Sequence, residues 1–551
     1  MSKKILIVAN YYPPNIIGGA EIVAHGQARR LRERGYSVSV FTRDRRIGEH
    51  SNNVDVVDGI KVTRFFPTES FPENNFIVPG GEHKFEALLE LSQPDIVHFH
   101  NVVELGAGLI KLAKAKGFKT VITLHDPWGF CMRHTLIRDN HSICRYFDQC
   151  AACKWDMAAS KGDRIPIRMR SDYIRWCLSN ADLMISPSFW LKSAYEQAGY
   201  DRSNIVKLSN GINLNALQPV LRKLRGCVQF LYMGTLADHK GIDYLLDAAE
   251  KLLSSPELNG RWRLSIVGDG PKRNVITDRI RKLRTDAVVF MGYVEHVALL
   301  ESLSDYDVIV LPSVWPENQS GVLLEAIASG AAQIASRLGG NTELVEHGQS
   351  GFLIMPRNAT ALADAMRCII EDSDLLCAFS GRNIVRRSAY DENSTIDQLI
   401  RLYEQLESRD VKDGRLIICA GGEPPPEITW LVNSNCSSGR ERSKAVLIWE
   451  EWATEYEWKN ACAVWNWSKV IDAEIQRRAS RYMLPLLVPD EPRSDSKCTE
   501  DTNLVTYRGA NEAISYIDGL VTEKDPVRKS RHKATSEHSA RAATCTINHT
   551  S

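Results

Sequence analysis

The residues best placed to do chemistry lie in one short run, Glu317-Asn-Gln-Ser-Gly-Val-Leu-Leu-Glu325. Ser320 suits an N-cap, and 321–329 reads as an apolar helix that stops at Gly330. The first N–H groups of a helix have no intrahelical partner, and the helix dipole adds partial positive charge there. The start of this helix therefore suits a diphosphate, and Gly321 lets the backbone approach it closely. Glu317 falls in the loop before the helix and Glu325 just over one turn inside it, so one carboxylate can reach a bound sugar and the other a ribose. Two glutamates at this spacing could also be solvated side chains on a capped helix. The buried strand at 308–311 and the flanking proline and glycines favour a binding site. A hydrolase acid/base pair is not implied, because that chemistry needs carboxylates flanking the scissile bond at set separations.

A second cluster follows His125: Cys131, Cys144, Cys150 and Cys153. Cys150-Ala-Ala-Cys153 has metal-ligand spacing, and four thiolates would satisfy tetrahedral zinc. The gaps before that pair are irregular, and His134 and His141 share the loop. Structural zinc, buried thiols and redox pairing stay open. Zinc here would pin a long insertion at about 127–165 and do no chemistry.

These groups need a scaffold. Residues 5–9, 38–42, 95–99, 121–124 and 183–186 are short apolar runs, separated by stretches of helical periodicity such as 21–34. That rhythm predicts a parallel sheet covered on both faces. It restarts at 228–233 and continues through 263–267, 288–291, 308–311 and 333–336. The stretch 205–216, with Ser209-Asn210-Gly211, is a natural hinge between two doubly wound halves. Open sheets of this kind bind ligands beyond the C-terminal ends of their strands. The organisation is α/β: a first Rossmann-like domain at 1–205, a second at 206–408 with a closing helix, an accessory α/β module at 409–522 and a polar, disordered tail at 523–551. Six of the twelve tryptophans, at 430, 449, 452, 458, 465 and 467, fall in the accessory module, where core packing is the first reading and carbohydrate stacking the second. Its runs at 415–419, 445–449 and 483–488 read as strands, and 509–520 completes the α/β pattern.

Composition narrows the class. Lys plus Arg and Asp plus Glu number 68 each, which argues against a nucleic-acid partner. No run reaches the 18 or more apolar residues of a membrane span. The apolar run at 5–9 is shorter than a signal h-region, so it reads as a strand. Thirteen cysteines without an export signal imply reduced thiols and a cytoplasmic protein.

Seven segments carry a resemblance. Gly18-Gly19-Ala20-Glu21, His125-Asp126, Asn210-Gly211-Ile212, Gly234-Thr-Leu-Ala-Asp-His-Lys240-Gly241, Gly268-Asp-Gly-Pro271, Gly292-Tyr293-Val294 and the Glu317…Glu325 pair occur in the order and at the spacing of glycosyltransferase family 4. Residues 1 to about 408 resemble that family, which implies a GT-B fold: two Rossmann-like domains facing a cleft. The resemblance implies retaining transfer of a hexosyl group from a nucleotide sugar, without a required metal cofactor. Its usual setting is bacterial surface polysaccharide synthesis. The acceptor would be a glycan or a lipid-linked glycan, the latter placing the protein at the inner membrane face.

Residue by residue, Gly18 and Gly19 would offer loop amides to the phosphates, His125 would bond the transferring sugar, and Lys240 would neutralise the leaving diphosphate. Gly292 and Val294 would meet the base, Ser320, Gly321 and Val322 the phosphates, Glu325 the ribose and Glu317 the sugar. One position departs from the family: Thr235 stands where an arginine usually joins the lysine, and Arg337 is a candidate substitute. That departure and the accessory module keep one rival in view, a catalytically silent module of the same fold that binds a nucleotide sugar or glycan; a sugar-nucleotide epimerase of this fold is a second rival, from a different enzyme class.

Overall fold

The computed structural model describes residues 2–16, 18–46, 53–67, 78, 80–145, 147, 153, 156–158, 164–223 and 226–408, plus five short strands beyond them. The chain divides into two compact units, Met1–Tyr403 and Glu404–Ser551. Among the described residues no helix is long and apolar enough to cross a membrane.

The first unit holds two sheets. One is built from β1 (Lys4–Ala9), β2 (Ser37–Arg43), β3 (Val54–Val57), β4 (Ile60–Phe65), β5 (Ile96–Phe99), β6 (Lys119–Thr123), β9 (Leu183–Ser186) and β10 (Ile205–Lys207). The ribbon of β7 (Asp156–Ala158) and β8 (Arg164–Pro166) stands apart from it. The spatial order is β10-β9-β6-β5-β1-β2-β4-β3, parallel except for β3 against β4. Every residue of β5 and β9 is buried, as a strand covered on both faces requires. The β3–β4 hairpin is absent from the sequence reading, although Asp58-Gly59 between two alternating runs announces it. Both residues have positive φ, 49° and 74°, which a two-residue type I′ turn needs. The first sheet also continues through β10, so the chain leaves this half only after Lys207.

The second sheet has six parallel strands, β11 (Val228–Met233), β12 (Trp262–Val267), β13 (Val288–Gly292), β14 (Val308–Leu311), β15 (Ala332–Ser336) and β16 (Gly351–Ile354). Their order is β13-β12-β11-β14-β15-β16, the doubly wound order in which the winding reverses between the first and fourth strands. The loops after β11 and β14 therefore flank a crevice at the switch point. Lys240 follows β11 and Glu317 follows β14, so topology alone brings these distant residues together.

The chain then returns through the helices Ala359–Glu371 and Ser373–Arg386 to Glu392–Ser408. Ile212 and Glu392 bond backbone to backbone where the two crossings meet: Ile212 N–H donates to Tyr390 O at 2.8 Å and Glu392 N–H to Ile212 O at 3.0 Å. A Cβ on Gly211 would fall 2.4 Å from Glu392 Cα, so the crossing requires glycine there.

In the second unit, β17 (Leu416–Ala420), β18 (Val446–Trp449), β19 (Ala463–Asn466), β20 (Leu486–Pro489) and β21 (Leu504–Tyr507) form a parallel sheet in the order β18-β17-β19-β20-β21. This is again an open, doubly wound order. The sequence reading has no strand at β19 or β21. Trp430, Trp452, Trp458 and Trp467, the run 509–520 and the tail lie outside the described residues.

Candidate active site

At the switch point of the second sheet, Lys240 Nζ donates to Glu317 Oε1 at 2.8 Å. The same oxygen accepts from Ser313 Oγ at 2.6 Å and from Trp315 Nε1 at 2.8 Å. Lys240 also lies over the Trp315 ring, 4.8 Å from its centroid. Burial alone would push the Glu317 carboxyl up. The Lys240 charge and the three hydrogen bonds outweigh it and hold the group below its usual range. Gly241 makes this arrangement possible. Its φ is 73°, and a Cβ there would sit 1.9 Å from Pro312 O, so only glycine lets the Lys240 loop rest against the loop after β14.

Ser320 occupies the N-cap position of the Gly321–Ser329 helix, but its side chain makes no capping bond. Among the described residues, no backbone carbonyl outside the helix and no Ser320 side chain takes the first-turn N–H groups of Gly321 and Val322. Inside the helix, Glu325 Oε1 lies 2.9 Å from His296 Nε2, and this hydrogen bond raises the pKa of His296. His296 opens a helix capped by Glu295, whose carboxylate takes the N–H groups of Val297 and Ala298. It lies two residues beyond Val294, which packs into a buried apolar cluster. Gly292, at φ 75°, ends β13 and accepts from Gly268 N–H. The sequence reading does not name His296; its position just after Gly292-Tyr293-Val294 was the available signal.

The loop between Glu317 and the helix also grips the first half of the unit. Asn318 Nδ2 donates to His125 O at 3.1 Å and Leu124 O at 3.3 Å, while its Oδ1 accepts from Ser188 Oγ at 2.6 Å. Gln319 Oε1 accepts from Asn210 N–H at 2.6 Å, and its Nε2 donates to Ser209 Oγ at 3.0 Å. His125 is thereby fixed through its backbone, and its ring Nε2 lies 3.0 Å from His100 Nδ1. Burial brings its pKa down to about 4. Asp126 caps the next turn by accepting from Trp128 N–H at 2.7 Å. Gly18 precedes the Gly19–Glu33 helix, with its N–H held by Glu21 Oε2 at 2.9 Å; nothing lies within 4 Å of a Cβ placed on Gly19.

Thr235 is exposed in the loop after β11, where its carbonyl accepts from Tyr232 Oη. Arg337 is exposed too, and no described contact joins it to Lys240. Another cation, Lys272, is held by Asp238 and Asp243. Lys240 is therefore the cation that reaches Glu317 among the described residues.

Cys131, Cys144 and Cys153 line one small apolar pocket with Phe130, Met132 and Phe147. Cys150 lies outside the described residues. Among the described residues no three metal-ligating side chains converge on one point.

Comparison with known proteins matches two family models to these two halves. "Glycosyltransferase Family 4" covers residues 17–216, "Glycosyl transferases group 1" covers 228–372, and together they span more than half of the chain. The chain belongs to glycosyltransferase family 4. It is 26% identical over 383 residues to a glycogen synthase of Mycobacterium tuberculosis, a match spanning 67% of this chain and 86% of the relative. It is 25% identical over 412 residues to a D-inositol 3-phosphate glycosyltransferase of Geodermatophilus obscurus, spanning 70% and 84% of the two chains. In fold it is similar to sucrose-phosphate synthase from Thermosynechococcus elongatus, with a TM-score of 0.57 at 21% identity over 74% of this chain and 99% of that one. The Anabaena protein HepE, solved with UDP and glucose, has a TM-score of 0.53 at 20% identity over 74% of this chain and all of that one. This transferase therefore has the GT-B fold, and its family motifs lie in the two matched halves.

Proposed function

We propose that this glycosyltransferase moves a hexosyl group from a nucleotide sugar, with retention, to a glycan or lipid-linked glycan of a bacterial surface polysaccharide. The observation that carries the reading is the Lys240–Glu317 pair at the switch point, tied through Asn318 to the His125 backbone. An arriving diphosphate finds there a lysine whose charge is already oriented and open N–H groups at the start of a helix. Lys240 takes up charge as the sugar–phosphate bond breaks, Glu325 holds the ribose, and Glu317 and His125 hold the sugar. A protein of this fold solved with UDP-glucose, the Anabaena HepE, lends support to the donor class.

Calorimetric titration with UDP-, GDP-, ADP- and TDP-sugars tests the donor site. One donor should bind saturably to the wild type and at least about 10-fold more weakly to Glu325→Ala and Lys240→Ala. Equal binding to all three proteins would overturn the assignment. Retention is read from the anomeric configuration of the first product, and turnover should persist in EDTA. The thiols around the insertion pocket are proposed to hold a structural zinc. Purified protein without near-stoichiometric zinc would remove that proposal and leave the donor site untouched.

A further inference from the structure

His98, His100 and His125 stand on β5 and at the ends of β5 and β6 with their rings stacked. Centroids are 4.6 Å apart between His98 and His100 and 5.3 Å apart between His100 and His125. His98 is engaged at both nitrogens, with Nδ1 2.6 Å from Tyr403 Oη and Nε2 2.8 Å from Thr123 Oγ1. His100 differs. Its Nδ1 lies 3.0 Å from His125 Nε2, while its own buried Nε2 has no partner among the described residues. With Asn101, His125 and Asp126 it lines a small pocket whose wall also includes Ile110, Leu178 and Tyr195. Burial keeps both rings neutral near pH 7, bringing His125 down to about 4 and His100 well below its ordinary value.

Two neutral imidazole nitrogens in contact share one proton, so one ring donates and the other accepts. If His125 donated from Nε2, His100 would bury an N–H with no acceptor. If His100 donates from Nδ1, the group left over on His100 is a bare nitrogen lone pair. Buried N–H groups without partners are the rarer of the two in folded proteins. The second arrangement also puts the proton of His125 on Nδ1, the ring nitrogen left for a substrate.

We propose that His100 is a positioning residue that holds His125 in the Nδ1–H tautomer, so that His125 donates a hydrogen bond to a hydroxyl of the transferred sugar. The sugar-facing half of this proposal rests on the function proposed above. The tautomer does not.

The test uses the full chain with ¹⁵N-labelled histidine, His125 being assigned by the signal lost in His125→Gln. The wild type should show a protonated Nδ1 and a bare Nε2. In His100→Leu the His125 shifts should move towards a tautomer average, with kcat reduced about 10- to 100-fold and donor Kd within about 3-fold of wild type. His100→Asn, whose side-chain amide can stand where Nδ1–H stood, should recover most of both readouts. A wild type protonated on Nε2, a folded His100→Leu with unchanged His125 shifts, or kcat equal in all three proteins would each overturn the proposal. If His100→Leu does not fold, the wild-type shifts and His100→Asn still decide it. Wild type that binds no nucleotide sugar would overturn the functional reading and the sugar contact with it, and the shifts would separately report the His100–His125 bond.

Discussion

Three donors converge on one oxygen of Glu317, a buried carboxylate whose ion-pair partner Lys240 is itself only one-fifth exposed. Breaking such a pair from one side leaves a charge without its partner, which costs more than the pair contributes when intact. Lys240→Ala should therefore destabilise the protein by about 2–4 kcal/mol and Glu317→Ala by a similar amount. The double variant should lose less than the sum, with a coupling of about 1–3 kcal/mol in a thermal double-mutant cycle. Additive losses would mean that the contact holds nothing together. With Lys240 gone, burial is opposed only by Ser313 and Trp315, so the Glu317 carboxyl should titrate higher than in the wild type. A folded-state carboxyl pKa raised above the unfolded value makes the folded form gain stability on acidification, so Lys240→Ala should recover relative to wild type as pH falls towards 4–5. A deficit that stays constant over that range would place the lost stability elsewhere.

At the scale of elements, the close approaches between loops decide whether that pair can form. Gly340 has an ordinary backbone conformation, yet a Cβ there would lie 1.6 Å from Asn318 O and 3.2 Å from Ser188 Cβ. Its N–H donates to Glu317 O at 2.8 Å. Gly340→Ala must displace the 317–319 loop, which bonds both Lys240 and the His125 backbone, so a loss of about 1–3 kcal/mol should come with reduced donor binding. An alanine variant that melts and binds like wild type would show that the loop tolerates the shift. Such contacts mark the limit of what the sequence could reveal. The strands at 183–186, 228–233 and 308–311 were legible to the residue, because a strand covered on both faces is a mostly apolar run, interrupted here only at Ser186 and Gln229. Glu317, Glu325, Lys240 and His125 were picked out by motif order, and the structure brings Lys240 onto Glu317 and ties the His125 backbone to the same loop. The bonds of Asn318 and Gln319 and the His296–Glu325 contact join residues 29 to 194 positions apart, and no local period encodes such a pairing. The β3–β4 hairpin was a different case, since Asp58-Gly59 stated its turn locally and only the edge strand it serves was unfamiliar.

At the scale of the first unit, the returning chain locks its two halves together. Arg30 pairs with Glu392, Arg34 with Asp397 at 3.0 Å, and Tyr403 reaches His98 inside the first sheet. The last contact makes the assembly sensitive to acid. His98 is fully buried, and burial together with the nearby His125 brings it down to about 3, against about 6.5 in an unfolded chain. Below about pH 6.5 the unfolded chain takes up a proton that the folded chain refuses, so stability falls as pH drops. The limiting slope is about 1.4 kcal/mol per pH unit for each histidine held neutral, and the fall continues until the folded value near 3 is reached. His100 and His125 are depressed in the same direction and add to it. The thermal midpoint should thus be nearly level from pH 8 to 7 and drop steadily from 6.5 to 5. Replacing His98 by Gln, which cannot take up that proton, should lower the midpoint at pH 7.5 through lost hydrogen bonds but shallow the acid slope by one group's share. A wild-type midpoint unchanged between pH 7 and 5 would mean that the three rings protonate freely in the folded state. The stacked, neutral core that joins the returning helix to His125 would then not exist in solution.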